Sequence, residues 1–356
     1  MKITDIEVEV KTFPLTKPYR ITNRTIDSVN NCIVKLKLEN GLYGLGAGSP
    51  SKFVTGETIE SSMNALQPDN LSWLLNQSIY ALPALTKTLQ QKILNTPAAA
   101  AALDMALYDA YAKSCKLPLV DILGRAHHSL PTSITIGIKN ANDAVIEAKE
   151  YVDRGFKILK VKLGENLDQD VEVMQALHNQ FGNKVKIRID MNQGYSTDDL
   201  KKFLQKIPLS NIELIEQPFI KTENKNLFQI NEKIREKIAL DESMISVSDM
   251  FELNCRQKSS GIANIKLMKC GGITPALQIA KLAEFADIDL MWGCMDESII
   301  SISAALHAAF ACPQTKYIDL DGSFDIAQDI VTGGFILEDG ELRTIERPGL
   351  GIDPNP

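Results

Sequence analysis

The spacing of apolar positions along the first part of the chain is that of strands. Residues 1–50 alternate apolar and polar side chains, most clearly in Ile33-Val-Lys-Leu-Lys-Leu38, and Asn40-Gly41 predicts a tight hairpin turn. The glycine-rich stretch 41–48 lacks the GxGxxG spacing, and no helix opens directly after it. This stretch therefore predicts a cluster of turns or bulges and not a phosphate loop.

The next part of the chain, residues 57–115, has the periodicity of helices. Thr96-Pro97 predicts an N-cap followed by proline at the first helical position, and the helix that it opens is rich in alanine. Such small residues permit close packing against a neighbour. Gly124 and Pro131 then bracket a predicted domain boundary.

From Ser133 to about Asp321, short β-branched runs alternate with helical segments. The runs that predict strands are 133–137, 158–162, 185–190, 212–216, 237–241, 262–267, 288–293 and 317–321. Eight parallel strands with intervening helices indicate a (β/α)-type barrel. We expect the first 125 residues, together with the tail after residue 322, to cover its active face. Within the tail, Gly333-Gly-Phe-Ile-Leu337 predicts an additional hairpin.

Three acidic residues recur at almost one interval, each at the end of one of these runs. They are Asp190, Glu216 and Asp241, and the gaps are 26 and 25 residues. Functional groups in such a barrel gather at the carboxyl ends of the strands. Carboxylates with no His or Cys nearby in sequence suit a hard cation, above all Mg²⁺, with Mn²⁺ as a substitute. The sequence therefore predicts that the three acids hold Mg²⁺.

Lysines end the runs on either side of these acids. Lys160 and Lys162 lie two residues apart on the second strand, so both point to the interior or mouth of the barrel, and Lys266 ends the sixth strand. An amine near a metal and other amines should have a lowered pKa, which makes it usable as a base. We expect abstraction of a proton α to a carboxylate. The metal and Lys160 would bind the carboxylate, and Lys162 and Lys266 would exchange the proton from opposite sides, inverting the carbon.

Composition and charge limit the partners. The 356 residues are 44% apolar, and the net charge of −7 disfavours a nucleic-acid or membrane surface as partner. The N-terminus lacks the apolar core of a signal peptide, and no stretch approaches the length of a transmembrane helix. Six scattered cysteines without a CxxC pair predict reduced thiols in a cytoplasmic protein. The oligomeric state stays open, and a homo-oligomer is one option.

Over the whole chain, these residues resemble the enolase superfamily and, within it, the muconate-lactonizing subgroup. The segments that carry the resemblance are Lys160-Val-Lys162, Asp190-Met-Asn-Gln-Gly194, Glu216-Gln-Pro218, Asp241-Glu-Ser243 and Lys266. The resemblance implies an α/β fold with a modified TIM barrel of the (β/α)7β type, Mg²⁺ and two-lysine acid/base chemistry. It also implies an α+β capping domain, formed by residues 1–125 and the returning segment 323–356 over a barrel of residues 126–322.

Residues near the last strands limit the class of substrate that the site could bind. Asp319-Leu-Asp321, followed by Ser323, resembles the D-x-D motif with which dipeptide epimerases of this subgroup hold the α-ammonium group of the substrate. A carboxylate pair suits an ammonium ion. The segment Gly293–Ser298, which contains Asp296, is similar as well. Thr135, near the end of the first strand, offers a hydroxyl contact.

The side chain of the epimerised residue is less constrained. Arg24 lies in an early loop that in this family folds over the active site, and it could pair with a glutamate side chain. Asp296 would repel that carboxylate. The sequence therefore predicts an isomerase, a Mg²⁺-dependent epimerase of Ala-Xaa dipeptides in which Xaa is Glu or a neutral residue, apolar or small and polar. The alternatives are an N-acyl amino acid racemase or o-succinylbenzoate synthase of the same subgroup, and a non-catalytic barrel that binds a metal and a small acid.

Overall fold

The computed structural model describes residues 1–21, 24–256 and 258–355, with side chains for residues 1–17, 27–256 and 258–355. An N-terminal unit of strands and helices precedes a barrel of parallel strands, and a tail contacts both. In the described part of the chain, no helix combines the length and the apolar character needed to cross a bilayer.

The N-terminal unit pairs an antiparallel sheet with helices. Its strands are β1 (Ile3–Ile21), β2 (Arg24–Leu38) and β3 (Tyr43–Gly48), in that order. Its helices are α1 (Ile59–Ala65), α2 (Pro68–Leu71), α3 (Leu82–Lys92), α4 (Pro97–Cys115) and α5 (Leu119–Leu123). The predicted hairpin turn is confirmed, since the main-chain nitrogen of Leu38 donates to the oxygen of Leu42 at 2.8 Å across Asn40-Gly41.

The glycine-rich stretch is a strand, so the predicted cluster of turns is wrong. The glycines of β3 that face α4 are Gly44, Gly46 and Gly48. A Cβ atom added at Gly46 would stand 1.8 Å from the main-chain oxygen of Ala102, so only glycine permits the strand to lie this close to the helix. The predicted close packing of the alanine-rich helix is thereby confirmed.

The start of α4 is confirmed at Pro97, but Thr96 does not cap the helix with its side chain. The cap comes from Glu57, whose Oε1 accepts a 2.6 Å hydrogen bond from the main-chain nitrogen of Ala98. A carboxylate here satisfies a free N–H group and suits the positive end of the helix dipole. This contact joins residues 41 positions apart, so no local sequence pattern predicts it.

The barrel is confirmed. A short strand, β4 (Leu130–Pro131), precedes the eight parallel strands β5 (Ile134–Ile136), β6 (Ile158–Lys162), β7 (Lys186–Asp190), β8 (Ile212–Glu216), β9 (Ile238–Leu240), β10 (Ile262–Ile265), β11 (Asp289–Trp292) and β12 (Thr315–Ile318). They pair in sequence order, and the sheet curls until Thr132 meets Ile318 in a parallel bridge. The last strand ends earlier than predicted, so Asp319 and Asp321 lie in the loop beyond it.

Helices connect most of these strands. They are α6 (Ala141–Asp153), α7 (Leu167–Phe181), α8 (Thr197–Lys206), α9 (Glu232–Arg235), α10 (Val247–Met250), α11 (Leu267–Cys270), α12 (Ile273–Ala286) and α13 (Ile299–Phe310). Between β8 and β9 the chain uses a 3₁₀ segment, Lys221–Gln229, and the short α9. Helix α11 begins directly after Lys266, so the sixth strand is shorter than the predicted 262–267.

The tail contains β13 (Val331–Gly333), β14 (Phe335–Glu338), β15 (Glu341–Thr344) and β16 (Ile352–Pro354). The predicted hairpin is β14–β15, and it adds to β4 next to the amino end of the barrel. The tail also returns to the N-terminal unit, where Leu15 pairs with Ile326 and the main-chain nitrogen of Leu350 donates to Oδ1 of Asp109 at 2.9 Å.

The N-terminal unit lies against loops that follow the barrel strands. Oγ of Ser49, at the end of β3, donates to the main-chain oxygen of Asp296 at 3.0 Å. The main-chain nitrogen of Ser298 donates to Oδ1 of Asn31 at 3.2 Å. Both contacts join the first sheet to the loop after β11, at the carboxyl end of the barrel.

Candidate active site

The three predicted acids stand at the same level inside the mouth of the barrel. Asp190 ends β7, Glu216 ends β8 and Asp241 directly follows β9, and each is at most 3% exposed. The parallel register places Lys162 beside Asp190 and Asp190 beside Glu216. The spacing argument is thus confirmed as a statement about position.

Lys160 is buried among carboxylates. Its Nζ lies 3.1 Å from Oδ2 of Asp190, 2.9 Å from Oε2 of Glu216 and 2.8 Å from Oδ2 of Asp319. A buried ammonium group requires such neighbours, because desolvation disfavours an unpaired charge. Lys160 therefore connects the acids at the ends of β7 and β8 to Asp319 in the loop after β12.

The other two lysines stand on opposite walls. Nζ of Lys162 lies 2.7 Å from Oδ2 of Asp190 and 3.0 Å from Oδ1 of Asn192, while Nζ of Lys266 lies 2.7 Å from Oδ2 of Asp241. Strands β6 and β10 are four positions apart in an eight-stranded barrel, so these side chains enter its mouth from opposite sides. The side chain of Lys162 is 29% exposed and that of Lys266 is 8% exposed.

The acids differ in their affinity for protons. Burial alone would raise the pKa of Asp190, but Lys162 and Lys160 outweigh it and lower this pKa to about 2. Lys266 and Lys269 likewise hold the pKa of Asp241 well below its usual value, against the effect of burial. Burial and the charge of Asp190 raise the pKa of Glu216 to about 7. Two of the carboxylates are therefore firmly ionised at neutral pH.

The pKa of Lys266 is predicted to fall beside a metal and other amines, but the carboxylates around this lysine act in the opposite direction. Burial does lower the pKa, and Lys160 adds to that effect, but the charges of Asp241 and Glu216 outweigh both and raise it. The prediction includes the metal and the neighbouring amines and omits the carboxylates that face Lys266. As arranged, Lys266 is a protonated acid held by Asp241.

One oxygen of each acid is held by a hydrogen bond from outside the lysine pairs described above. These contacts are the main-chain nitrogen of Asn192 to Oδ1 of Asp190 (3.0 Å), Nδ2 of Asn264 to Oε1 of Glu216 (2.8 Å) and Nζ of Lys269 to Oδ1 of Asp241. The remaining three oxygens face Lys160, Lys162 and Lys266. Among them, Oε2 of Glu216 is near Lys160 but makes no aligned hydrogen bond.

This donor set fits a hard cation. Among the described residues, no three acidic, His or Cys side chains stand at metal-binding distances as arranged. Lysine ammonium groups share the carboxylate oxygens of the three acids. Three buried carboxylates on adjacent strands, one with an oxygen that lacks a hydrogen bond, are nevertheless the ligand type that Mg²⁺ prefers. The residues fit the ion provided that the ammonium groups move aside when it binds.

The two acids beyond β12 have different surroundings. Oδ1 of Asp319 accepts from Oγ of Ser133 at 2.6 Å and Oδ2 pairs with Lys160, which together hold its pKa low despite burial. Oδ2 of Asp321 accepts from the main-chain nitrogen of Thr135 at 2.8 Å, and burial, with the charge of Asp319, raises its pKa to about 7. Thr135 thus contributes its N–H group here. Oγ of Ser323 is buried without a hydrogen-bond partner.

Of the two residues predicted to select the side chain of the epimerised residue, the structure describes the position of one side chain, that of Asp296. Asp296 is half-buried on the loop after β11, and its charge contributes to the raised pKa values of Glu297 (about 7, mainly from burial) and Asp325. Arg24 begins β2, but its side chain lies outside the described residues.

Sequence reasoning missed three buried residues at the site. Arg188 donates to Oγ of Ser133 at 3.1 Å, and this hydroxyl group in turn donates to Oδ1 of Asp319. Asn264 and Lys269 hold Glu216 and Asp241. The period-2 rule could have found Arg188 and Asn264, which lie two residues before Asp190 and Lys266 on their strands. Lys269 lies on α11, which the strand pattern did not predict.

Two backbone features keep the site compact. A Cβ atom at Gly293, directly after β11, would stand 2.7 Å from Oδ1 of Asn264 and 2.9 Å from Cε of Lys266, so any larger residue here would displace these two side chains. Gln217 has a φ of 36°, and its Oε1 accepts from the main-chain nitrogen of Asp241 at 3.0 Å. A strained residue of this kind is typical of a functional site.

The chain is similar over nearly its whole length to proteins that are named dipeptide epimerases. An L-Lys-D/L-Arg epimerase from Methylococcus capsulatus is 52% identical over 99% of each chain. The crystal structure of a dipeptide epimerase from the same organism, complexed with Mg and the dipeptide L-Arg-D-Lys, is similar with a TM-score of 0.96 and 52% identity over 99% of both chains. A substrate-liganded complex of the L-Ala-D/L-Glu epimerase from Bacillus subtilis has a TM-score of 0.92 at 31% identity, over 99% of both chains.

Family models cover both parts of the fold. Residues 4–124 match the N-terminal domain of mandelate racemase/muconate lactonizing enzymes. Residues 143–356 match the enolase C-terminal domain-like family. The chain therefore belongs to the mandelate racemase/muconate lactonizing enzyme family of the enolase superfamily.

Proposed function

We propose that this protein is an isomerase, a Mg²⁺-dependent dipeptide epimerase that inverts the α-carbon of the second residue. The observation that carries the proposal is the placement of Lys162 and Lys266 on opposite walls of the barrel. The Nζ of each lies 2.7 Å from the carboxylate of a buried acid, Asp190 or Asp241. Relatives that are named epimerases and match nearly the whole chain support the proposal.

The lysines act as the acid and base pair. One takes the α-proton from its side of the substrate carbon, and the other returns a proton to the opposite side, so the configuration inverts. The buried ammonium of Lys160, beside Asp190 and Glu216, binds the substrate carboxylate and stabilises the negative charge that develops on it. Asp321 receives the amino end of the dipeptide.

A cation held by Asp190, Glu216 and Asp241 would polarise the substrate carboxylate and make the α-proton more acidic. The chain supplies the rest. Asn192, Asn264 and Lys269 hold the outer oxygens of the acids. Lys162 and Lys266 now bind Oδ2 of Asp190 and of Asp241. If these oxygens bound the ion instead, both ammonium groups would be free to approach the substrate.

For the substrate we favour dipeptides of cationic residues, such as L-Lys-L-Arg, over the Ala-Xaa dipeptides that the sequence predicted. The relative that is 52% identical is an L-Lys-D/L-Arg epimerase, whereas the L-Ala-D/L-Glu epimerase structure is 31% identical. The loops after β11 and β12 carry Asp296, Asp321 and Asp325. Burial and Asp319 raise the pKa of Asp321, to which Asp325 adds, and burial and Asp296 raise the pKa of Asp325. Such a region attracts cationic side chains and repels a glutamate substrate.

The test is exchange in D₂O with Mg²⁺ and four separate substrates: L-Lys-L-Arg, L-Ala-L-Glu, L-Ala-L-Leu and N-succinyl-L-Arg. Deuterium at the α-carbon of the second residue is read by mass spectrometry, and inversion by chiral chromatography. We expect kcat/KM for L-Lys-L-Arg to exceed that for L-Ala-L-Glu by about 100-fold or more, since like charges in contact cost several kcal/mol.

The outcomes separate the candidates. Preference for an Ala-Xaa dipeptide would return the specificity to the one that the sequence predicted. Exchange with N-succinyl-L-Arg alone would make the protein an N-acyl amino acid racemase. Absence of exchange in all four substrates would remove the epimerase proposal.

A further inference from the structure

We propose that Lys269 is a positioning residue, which orients Asp241 directly and Glu216 through Asn264 for binding of a divalent cation. The inference rests on the proposed function in one respect only, that Asp241 and Glu216 are metal ligands.

Lys269 already makes every contact that its ammonium group can make. Nζ donates to Oδ1 of Asp241, to the main-chain oxygen of Asp241 at 2.6 Å and to the main-chain oxygen of Asn264 at 3.1 Å. The side chain is 1% exposed. Three N–H donors meet three acceptors, so no donor is left for a substrate. Lys269 therefore acts through its neighbours.

These contacts hold Asp241 at two points. One ammonium group bonds both the main chain and the carboxylate of the same residue, which opposes rotation of the side chain. Since Oδ1 is engaged by Lys269, the oxygen that faces the interior is Oδ2, 2.7 Å from Lys266. Without Lys269, Oδ1 loses this partner, and nothing but the contact with Lys266 would be left, among the contacts that the structure describes, to direct Oδ2.

Asn264 extends the same arrangement to the neighbouring acid. Its main-chain oxygen accepts from Lys269, and its Nδ2 donates to Oε1 of Glu216 at 2.8 Å. The oxygen of Glu216 left toward the interior is Oε2, which has no aligned hydrogen bond. Lys269 and Asn264 thus leave one oxygen of each of two adjacent acids for the ion.

The proposal predicts an effect opposite in sign to that of charge alone. Lys269 carries a positive charge next to a site for a cation, so removal of this charge should strengthen cation binding if electrostatics were the only effect. If Lys269 positions the acids, its removal weakens binding. Residues that support metal ligands typically change metal affinity by about 10–100-fold when they are replaced.

The experiment measures Mn²⁺ binding to the substrate-free protein by calorimetry or by electron paramagnetic resonance. We expect Lys269→Met to raise the Kd about 10–100-fold and Lys269→Arg to raise it less. Lys113→Met is the matched control. Nζ of Lys113 lies 2.7 Å from Oδ2 of the buried Asp109 and 3.2 Å from the main-chain oxygen of Tyr43, in the N-terminal unit. This variant should lose thermal stability and keep the Mn²⁺ affinity of the wild type.

An unchanged or lower Kd in folded Lys269→Met overturns the proposal. If that variant does not fold, Asn264→Ala decides, since it removes the bond to Glu216 and keeps the main-chain contact with Lys269. Wild-type affinity in Asn264→Ala overturns the proposal as well. The Asp241→Asn background adds a second criterion, because Lys269→Met should weaken binding much less there if it acts through that carboxylate. A wild type that binds Mn²⁺ but epimerises no dipeptide leaves the positioning role intact and removes only the proposed function.

Discussion

The ammonium group of Lys266 donates a 2.7 Å hydrogen bond to Oδ2 of Asp241, so a proposed base and a proposed metal ligand share one contact. Lys162 stands in the same relation to Asp190 on the opposite wall. Because each lysine occupies an oxygen that a cation would also use, we expect metal binding to change the proton affinity of the lysines. In the proposed mechanism, an ion on these oxygens would hold the substrate carboxylate and free the two lysines to act as bases.

The central ammonium group tests this coupling. Replacement of Lys160 by Met leaves Asp190, Glu216 and Asp319 buried with one cation fewer. Loss of one partner from a buried ionic group typically costs about 3–5 kcal/mol, so the unfolding temperature should fall. Mg²⁺ should restore part of this loss, since it supplies positive charge to the same oxygens and stabilises the folded protein by binding.

Differential scanning calorimetry of Lys160→Met and wild type, with and without Mg²⁺, makes the comparison. Lys281→Met, which removes an exposed ion pair with Glu284, is the control and should unfold at the temperature of the wild type. A Lys160→Met protein as stable as wild type, or one that gains nothing from Mg²⁺, would contradict the account.

The packing of β3 on α4 gives a prediction that is independent of the chemistry. A methyl group at residue 46 would overlap the main-chain oxygen of Ala102, so Gly46→Ala should destabilise the protein by about 2–3 kcal/mol. At Gly137 an added Cβ meets nothing within 4 Å, and Gly137→Ala should change stability by no more than about 0.5 kcal/mol. Chemical denaturation of both variants provides the measurement, and equal midpoints would refute the close approach of strand and helix.

His307 predicts a pH dependence of stability. Burial lowers its pKa to about 4, and Nδ1 accepts a 3.0 Å hydrogen bond from the main-chain nitrogen of Val120. The folded-state pKa lies below the usual 6.5, so this contribution to stability is present above pH 6.5 and is lost as the pH falls toward 4. From pH 7.5 to pH 5 the loss from this group is about 2 kcal/mol.

Urea unfolding of wild type and His307→Asn at both pH values isolates this contribution, because the amide oxygen of asparagine stands where Nδ1 does and can accept the bond from Val120 without titrating. The variant should lose about 2 kcal/mol less than wild type over this interval. The same pH dependence in both proteins would show that His307 does not titrate on unfolding.

The sequence predicts the barrel and the level of its charged residues because both follow from local periodicity. Runs that end in Asp190, Glu216 and Lys162 are strands, and parallel strands bring their carboxyl ends to one edge. The contacts that arise from distant parts of the chain are different. Glu57 caps α4 from 41 residues away, and no periodic pattern records that pairing.

The strand formed by the glycine-rich stretch and the effect of the carboxylates on Lys266 were both absent from the prediction for one reason. The stretch 41–48 was assigned by composition, whereas the need for its glycines comes from α4, a distant helix. The pKa of Lys266 is predicted from a metal and neighbouring amines, whereas the carboxylate of Asp241 lies 2.7 Å from its Nζ and raises this pKa. In both instances a residue from a distant part of the chain determines the local structure or the pKa, and the sequence of one segment does not contain that information.

Deuterium exchange by single-lysine variants tests the central claim, proton transfer by Lys162 and Lys266 from opposite sides, most directly. Lys162→Ala and Lys266→Ala are each incubated in D₂O and Mg²⁺ with the L,L and L,D forms of the best dipeptide. Both should lose epimerisation by about 10²–10⁴-fold, the usual contribution of a general acid or base. Each should still exchange the α-proton of one epimer only, and the two variants should favour opposite epimers. If either variant epimerises at the wild-type rate, or if both exchange the same epimer, the two-lysine mechanism is wrong.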